Sequence, residues 1–281
     1  MGAFLGYLWR TRNLAAAVAA LIVAAFVVVA VGAPLFADWG AATKVELQHA
    51  LALPSAEFPL GADELGRDLL ARLVWGARIS LGVAVVSVGF ALAAGVCIGA
   101  ACGYYEGRVA ELVMRSMDFL IAFPRILLAI MLITVLGTGV VSLTLAIGIS
   151  SIPVYARLFR APVLTLKQRE FVLAARSLGA RDGTILFGHI LPNTVSLMII
   201  QGTISLADAI LIASGLSFLG LGPQPPTPEW GAMIANARAH ITSTPHVVFA
   251  PGLALFAVIL GLNVLGDALR DFADPRVRKS R

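Results

Sequence analysis

Charge is what this chain has least of. Asp, Glu, Lys and Arg make up only 13% of its 281 residues, against about 25% in an average soluble domain. A water-soluble fold of this composition, 59% hydrophobic, would leave large apolar patches in solvent. Lipid is the solvent that suits it. Cysteine and histidine are also scarce. Cys97 and Cys102 lie five apart in an apolar run without Cys or His partners, so no disulfide framework or metal site follows. His49, His189, His240 and His246 fall in or beside loops. No Ser/His/Asp set and no metal-ligand cluster emerges, so no catalytic residue is assigned and a membrane enzyme is disfavoured. The phosphate-cradling pattern G-x-x-x-x-G-K-[ST] is missing too, so the chain does not bind ATP in that manner.

Long apolar runs are what the chain has instead. A spanning helix needs about 20 apolar residues. Six segments qualify, at about 14–36, 79–103, 115–136, 139–159, 194–215 and 247–268. The first lacks a small-residue cleavage site and reads as a span rather than a removable signal. Glycine and alanine recur in all six, and small residues let helices approach closely in lipid. The fold class expected is an all-α membrane protein of six transmembrane helices. Residues 1–78 hold a tail, the first span and an outer segment. Residues 79–281 hold a five-helix core interrupted by a charged loop at 160–193.

The basic residues sort by side. Most of the 21 Lys and Arg fall in 1–13, 104–114, 160–193 and 269–281, among them Arg10, Arg108, Lys167, Arg169, Arg176, Arg181 and Arg281. By the positive-inside rule both termini and the 160–193 loop are cytoplasmic. The net charge of +5 is therefore a topology signal. No aromatic interleaving suggests nucleic acid as a partner.

Three loops carry local signals. In the outer segment, Leu65, Leu69 and Leu73 form a stripe widened by Leu70 and Val74. Glu64, Arg67, Asp68 and Arg72 lie off it, and Asp63 is a candidate N-cap, so an amphipathic helix is expected. It suits an interfacial helix or a surface for an external partner. Residues 215–228 are rich in Gly and Pro, as a shaped outer vestibule would require. In the inner loop, Thr165 and Gln168 fit a capping box. The following helix places Phe171, Ala174, Ala175 and Leu178 on one face, and Gly179 is suited to end it. Asp182 can cap a second short helix with Ile185, Leu186 and His189, and Pro192 marks a break before the next span. The residues alone leave open whether this loop docks a partner or is ordinary amphipathic structure.

Few polar groups lie deep in the spans. Gln201, Thr203, Ser205, Asp208 and Asn263 either line a path or bond neighbouring helices. Asp118 can pair with Arg115, and Arg125 can meet carbonyls freed by Pro124. So few intramembrane charges argue against an ion-driven secondary transporter.

AARSLGA followed by HILPN resembles the coupling-loop motif of binding-protein-dependent ABC importer permeases, written EAA, three residues, Gly, nine residues, I-x-L-P. Gly179 and Pro192 keep its separation. PLGADELGRDLLARLVWGARISL, MDFLIAFP, LSFLGLGPQPPTPEWG and GDALRDFADPR resemble the second permease subunit of dipeptide, oligopeptide and nickel importers. The motif's Glu falls on Leu173, its first Ile on His189, and an acidic residue often found before LSFLGLG is Ala213. The resemblance implies a type I ABC importer permease fold and a prokaryotic cell-membrane location. It implies half of a pathway for peptides, with nickel or another small solute as the alternative. The implied coupling loop comprises Glu170, Ala174, Ala175, Arg176, Gly179, Ala180, Arg181, Leu191 and Pro192. Gln201, Ser205, Asp208 and Asn263 are the candidate pathway residues. The implied partners are a second homologous permease subunit, two ATPase subunits or domains that bind the ATP and Mg, and an external substrate-binding protein. No cofactor is expected in this chain.

Overall fold

A computed structural model describes residues 14–273, which are almost entirely helix and turn. We number the main helices α1 (Leu14–Val31), α2 (Leu69–Tyr105), α3 (Arg108–Ile121), α4 (Arg125–Leu136), α5 (Val140–Leu166), α6 (Glu170–Ser177), α7 (Asp182–Ile185), α8 (Val195–Phe218), α9 (Trp230–Ala237) and α10 (His246–Ala273). Among the described residues, five helical stretches are long and apolar enough to cross a membrane, and a sixth crossing requires counting α3 and α4 as one bent unit. Expectations that fall on residues 1–13 and 274–281, the basic tails, lie outside the described residues.

The expected amphipathic helix starting at Asp63 does not form. Residues 61–68 are a turn in which Gly61 and Gly66 hold φ of 83° and 76°. A Cβ at Gly66 would run into the Glu46 carbonyl, so the close approach admits only glycine. The cap belongs to Asp68, whose carboxylate accepts from Leu70 N at 3.0 Å. From there α2 runs 37 residues without interruption, across residue 78. Two of the four charges expected off the stripe, Arg67 and Arg72, are in fact inside, while Glu64 and Asp68 are half-buried. Asp63 Oδ1 accepts from the backbone N–H of Leu65 and Arg67, both at 2.9 Å. Its Oδ2 lies 2.6 Å from Arg67 Nε and 3.0 Å from Arg72 Nε. Arg67 and Arg72 are only 1% and 2% exposed. Periodicity placed them outside because it weighs each side chain alone; mutual pairing makes their burial tolerable.

The span expected at 115–136 is broken. α3 and α4 meet at 96°, and Pro124 stands at the N-cap of α4, where it lacks an N–H to continue α3. α3 turns Ala110 and Met114 inward. Asp118 pairs with Arg157 at 3.4 Å, not with Arg115, which pairs instead with Glu111 at 2.6 Å.

α2 and α5 form the closest helix pair. Gly95, Gly99 and Gly103 make a ridge without side chains on α2, and a Cβ at any of them would run into Tyr155, Ala156 or Arg160 of α5. Small residues at four-residue spacing permit this approach in lipid. At one end of the bundle, which we call the far end, the core closes on Trp230. Its ring meets Phe26 edge-on at 5.6 Å and its Nε1 donates to the Leu73 carbonyl at 3.1 Å. The opposite end carries the loop between α5 and α8.

Candidate functional site

The loop end is built from the last turns of α2 and α5. α5 continues past the expected limit, through Pro162 to Leu166. Thr165 is therefore inside a helix, donating its hydroxyl to the Ala161 carbonyl at 3.2 Å, and the expected capping box with Gln168 is absent. α6 instead starts after Arg169, which makes no side-chain cap. Asp182 likewise is the first residue of α7 rather than its cap, because its carboxylate is engaged elsewhere.

That engagement is with Tyr104, a residue the sequence reading passed over. The Tyr104 hydroxyl donates to Asp182 Oδ1 at 2.6 Å and accepts from Arg176 Nη2 at 3.1 Å. The Arg176 guanidinium also lies 5.9 Å from the ring centroid. One tyrosine at the end of α2 thus ties α6 and α7 together. Lys167 adds a second tie. It donates to Glu106 Oε1 at 2.6 Å and to the Tyr104 carbonyl at 3.3 Å. The Lys167 ammonium holds the Glu106 carboxyl below its ordinary range. Beneath these bonds, Val172, Ile185, Leu186 and Ile190 are buried against Ala100, Tyr104 and Val163.

The inward face of α6 is therefore Val172, with Ala175 half-buried beside it. Of the residues expected on one face, Phe171, Ala174 and Leu178 are exposed, as is Leu173, while Ala175 is partly buried; Leu178 reaches 89%. One turn of helix was enough to pack, and the polar anchors on Tyr104 chose which side faced in. Gly179 has φ of 83°; Gly179 N donates to Arg176 O at 3.0 Å and Ala180 N to Ala175 O at 3.1 Å. This is the paired bonding of a left-handed helix stop. A Cβ added to Gly179 would meet nothing within 4 Å. Glu170 and Arg181 are exposed at the starts of α6 and α7, and Ala180 and Leu191 pack partly against the buried cluster. Pro192 does not break the chain as expected. A π-helical turn at Leu186–Ile190 and a 3₁₀ turn at Leu191–Thr194 carry it smoothly into α8.

The candidate pathway residues separate. Gln201, Ser205 and Asp208 share one face of α8, and Gln201 Nε2 donates to Ser205 Oγ at 3.3 Å. Asp208 is exposed. Asn263 is on α10 and donates to the carbonyl of Ile259, one turn back on its own helix.

At the far end, Glu229 was also unmarked by sequence reasoning. It is fully buried and caps α9, accepting from Ala232 N at 2.9 Å and from Ser80 Oγ at 3.1 Å. Burial raises its carboxyl above the ordinary value. Pro228 and Gly231 flanking it were the available signal, since a Cβ at Gly231 would press on the Ser214 backbone. Beside this cap the Gly/Pro loop opens a recess of about 610 Å³ lined by Phe218, Gln224, Asn236 and Arg238, among others.

Comparisons with known proteins agree on kind. Residues 95–279 match the family described as binding-protein-dependent transport system inner membrane component. The glutathione transport system permease proteins GsiD of Escherichia coli O157:H7 and of Shigella sonnei are each 46% identical over 272 residues, covering 96% of this chain and 90% of theirs. Among solved structures, an inward-facing form of the MetNI methionine ABC transporter matches with a TM-score of 0.57 at 16% identity, over 73% of this chain and 98% of that one.

Proposed function

The chain belongs to the family of binding-protein-dependent transport system inner membrane components, as a multi-pass permease subunit of an ABC importer with the type I fold, and we propose that it forms half of a pathway for peptides. The 46% identical relatives named for glutathione, a tripeptide, favour peptides over nickel. The importer is a membrane complex with an ATPase and a substrate-binding protein. In our reading this chain pairs with a second homologous permease subunit and two ATPase subunits or domains. Those partners bind ATP and Mg and hydrolyse the ATP; this chain is not an enzyme. Both termini and the loop at 160–193 lie in the cytoplasm, while 37–78 and 216–246 face the external binding protein.

One observation carries the assignment of roles. The α6–α7 loop is anchored on one side and bare on the other. Tyr104, Lys167 and the buried Val172 fix it to the ends of α2 and α5. Phe171, Leu173, Ala174 and Leu178 stay uncovered. An apolar, shallow, rigidly held surface suits insertion into a cleft of an ATPase. Closure of the ATPases on ATP would move the loop and favour one of two arrangements of the spans. Glu170, Arg176, Ala180, Arg181, Leu191 and Pro192 frame this surface, with Ala175 and Gly179 shaping its centre.

The test is reconstitution. The full set of partners in proteoliposomes, with binding protein outside and ATP inside, should accumulate radiolabelled dipeptide or glutathione. The lone chain should accumulate neither. Uptake by the lone chain driven by a proton or sodium gradient would return the secondary-transporter reading. External labelling of a cysteine placed at Arg176 in intact cells would reverse the orientation.

A further inference from the structure

Glu229 is a fully buried carboxyl with no part in the coupling loop. It sits where three elements of the far end meet. It caps α9 by accepting from Ala232 N at 2.9 Å. Its Oε1 accepts from Ser80 Oγ of α2 at 3.1 Å, and the same Ser80 oxygen accepts from Trp230 N at 3.3 Å. On the third side is the end of α8, where Gly231 lies so near Ser214 that a Cβ would meet its backbone. Ser214 and Ser217 have hydroxyl oxygens buried there without a hydrogen-bond partner. Ser217 and Ala232 also line the recess of about 610 Å³. The carboxyl therefore stands directly behind the wall of that recess.

No counter-charge meets it. Among the described residues no ion pair includes Glu229. α2 brings Arg72, but its Nε is paired with Asp63 at 3.0 Å and its Nη1 donates to the carbonyls of Ala42 and Pro226. Arg67 is engaged by Asp63 and Glu64. α10 brings His246 at its first residue, and Arg238 and His240 follow the other end of α9. α1 carries no titratable group, and α8 none nearer along the chain than Asp208. A carboxyl buried without a counter-charge keeps its proton instead. The Ala232 amide and the Ser80 hydroxyl favour the charged form, but burial outweighs them. We infer that Glu229 is a proton-operated latch: as the neutral acid it clamps α9 to α2 and α8 and shapes the recess, and release of its proton to the outer water loosens α9. Acidity outside thereby controls how the external binding protein docks at this end. That consequence rests on the reading that 216–246 face the binding protein.

Two measurements on the complete complex test the latch. Infrared difference spectra between wild type and Glu229→Gln should show the C=O band of a protonated acid at a pH of about 6, where an ordinary glutamate is ionised. The second measurement is the concentration of binding protein that half-maximally stimulates ATP hydrolysis, followed against pH. In the wild type it should rise as pH passes through the raised value, by at most about tenfold per pH unit, the limit for one proton. Glu229→Gln, whose amide stays neutral, should hold the low value throughout. The partners are the same in both, so their own pH dependence cancels in the comparison. Ser80→Ala removes a donor that favours the charged form and should move the rise to higher pH; a purely structural role would not move its midpoint. Amides of 230–237 should exchange faster over the same interval in the wild type and not in Glu229→Gln. Absence of the acid band at that pH, or matching pH profiles for wild type and Glu229→Gln, overturns the latch. A complex that the binding protein stimulates at no pH overturns the placement of that protein at the far end instead, and the infrared band and the exchange rates still decide the latch.

Discussion

Tyr104→Phe isolates what holds the α6–α7 loop to the bundle. The ring stays, so its packing against Val163 and Val172 is kept. Two hydrogen bonds are lost, one to Asp182 and one from Arg176. A bond to a charged partner contributes about 1.5–3 kcal/mol when shielded. Here the Asp182 and Arg176 side chains are each 55% exposed, and water replaces much of what the hydroxyl supplied. About 1 kcal/mol per bond, roughly 2 kcal/mol in total, is the appropriate scale. That corresponds to an approximately thirtyfold rise in the population of the detached loop. Hydrogen exchange of the amides in 170–190 reads this opening directly. They should exchange about thirtyfold faster, while amides of α2 and α5 stay protected and the chain stays inserted. In the complete complex, substrate-stimulated ATP hydrolysis should fall relative to basal hydrolysis. Exchange in 170–190 that matches wild type would refute the reasoning, since the loop would then be held by its apolar contacts alone.

Three further perturbations address other contacts. Gly179→Val puts a β-branched residue at positive φ, costing on the order of 1–2 kcal/mol, but its Cβ meets nothing in this chain; insertion should survive and ATPase co-purification should fall, whereas Gly179→Asn, which tolerates this conformation, should keep the loop's exchange pattern. Asp63→Asn leaves Arg72 buried without an ionic partner and Arg67 with Glu64 alone, at 3.3 Å, a loss of about 3 kcal/mol that should show as reduced membrane abundance; normal abundance and an unchanged Tm would show that the buried cluster is not supporting the far end. Burial raises Glu229 above its ordinary 4.5, so the folded state binds the proton more tightly than the unfolded chain. Its contribution is complete below 4.5 and is lost as pH rises through the raised value; Tm of the wild type should decline over that interval, and Glu229→Gln should flatten the decline.

How legible this molecule was depends on the range of the physics. The spans at 14–36, 139–159, 194–215 and 247–268 were readable because a lipid-facing helix writes its requirement into about 20 consecutive residues. Gly179 was readable for a similar reason, since a left-handed stop is a local demand. The bend at Pro124 was less so: a proline permits a 96° turn without requiring one. Arg67 and Arg72 were misjudged because a helical pattern does not register that Asp63 pairs with both, and Glu229 was missed because one of its partners, Ser80, is distant in sequence. The inner loop shows both regimes. Its end was set by one glycine, but its inward side was set by Tyr104, which lies 78 residues before Asp182. A pattern search within the loop had no access to that bond.

The continuity of α2 has a mechanical meaning. Its 37 residues make a rod of about 55 Å, with Tyr104 at one end and, near the other, Ser80 and the Leu73 carbonyl against the Glu229–Trp230 cap. No proline interrupts it, and the glycine ridge lays it directly against α5. A shove delivered at Tyr104 is therefore not absorbed by flexing along the way. If the loop has the coupling role proposed above, that shove would reach the opposite surface as a displacement of the same strut, and both faces of the bundle would move together through a single piece of secondary structure.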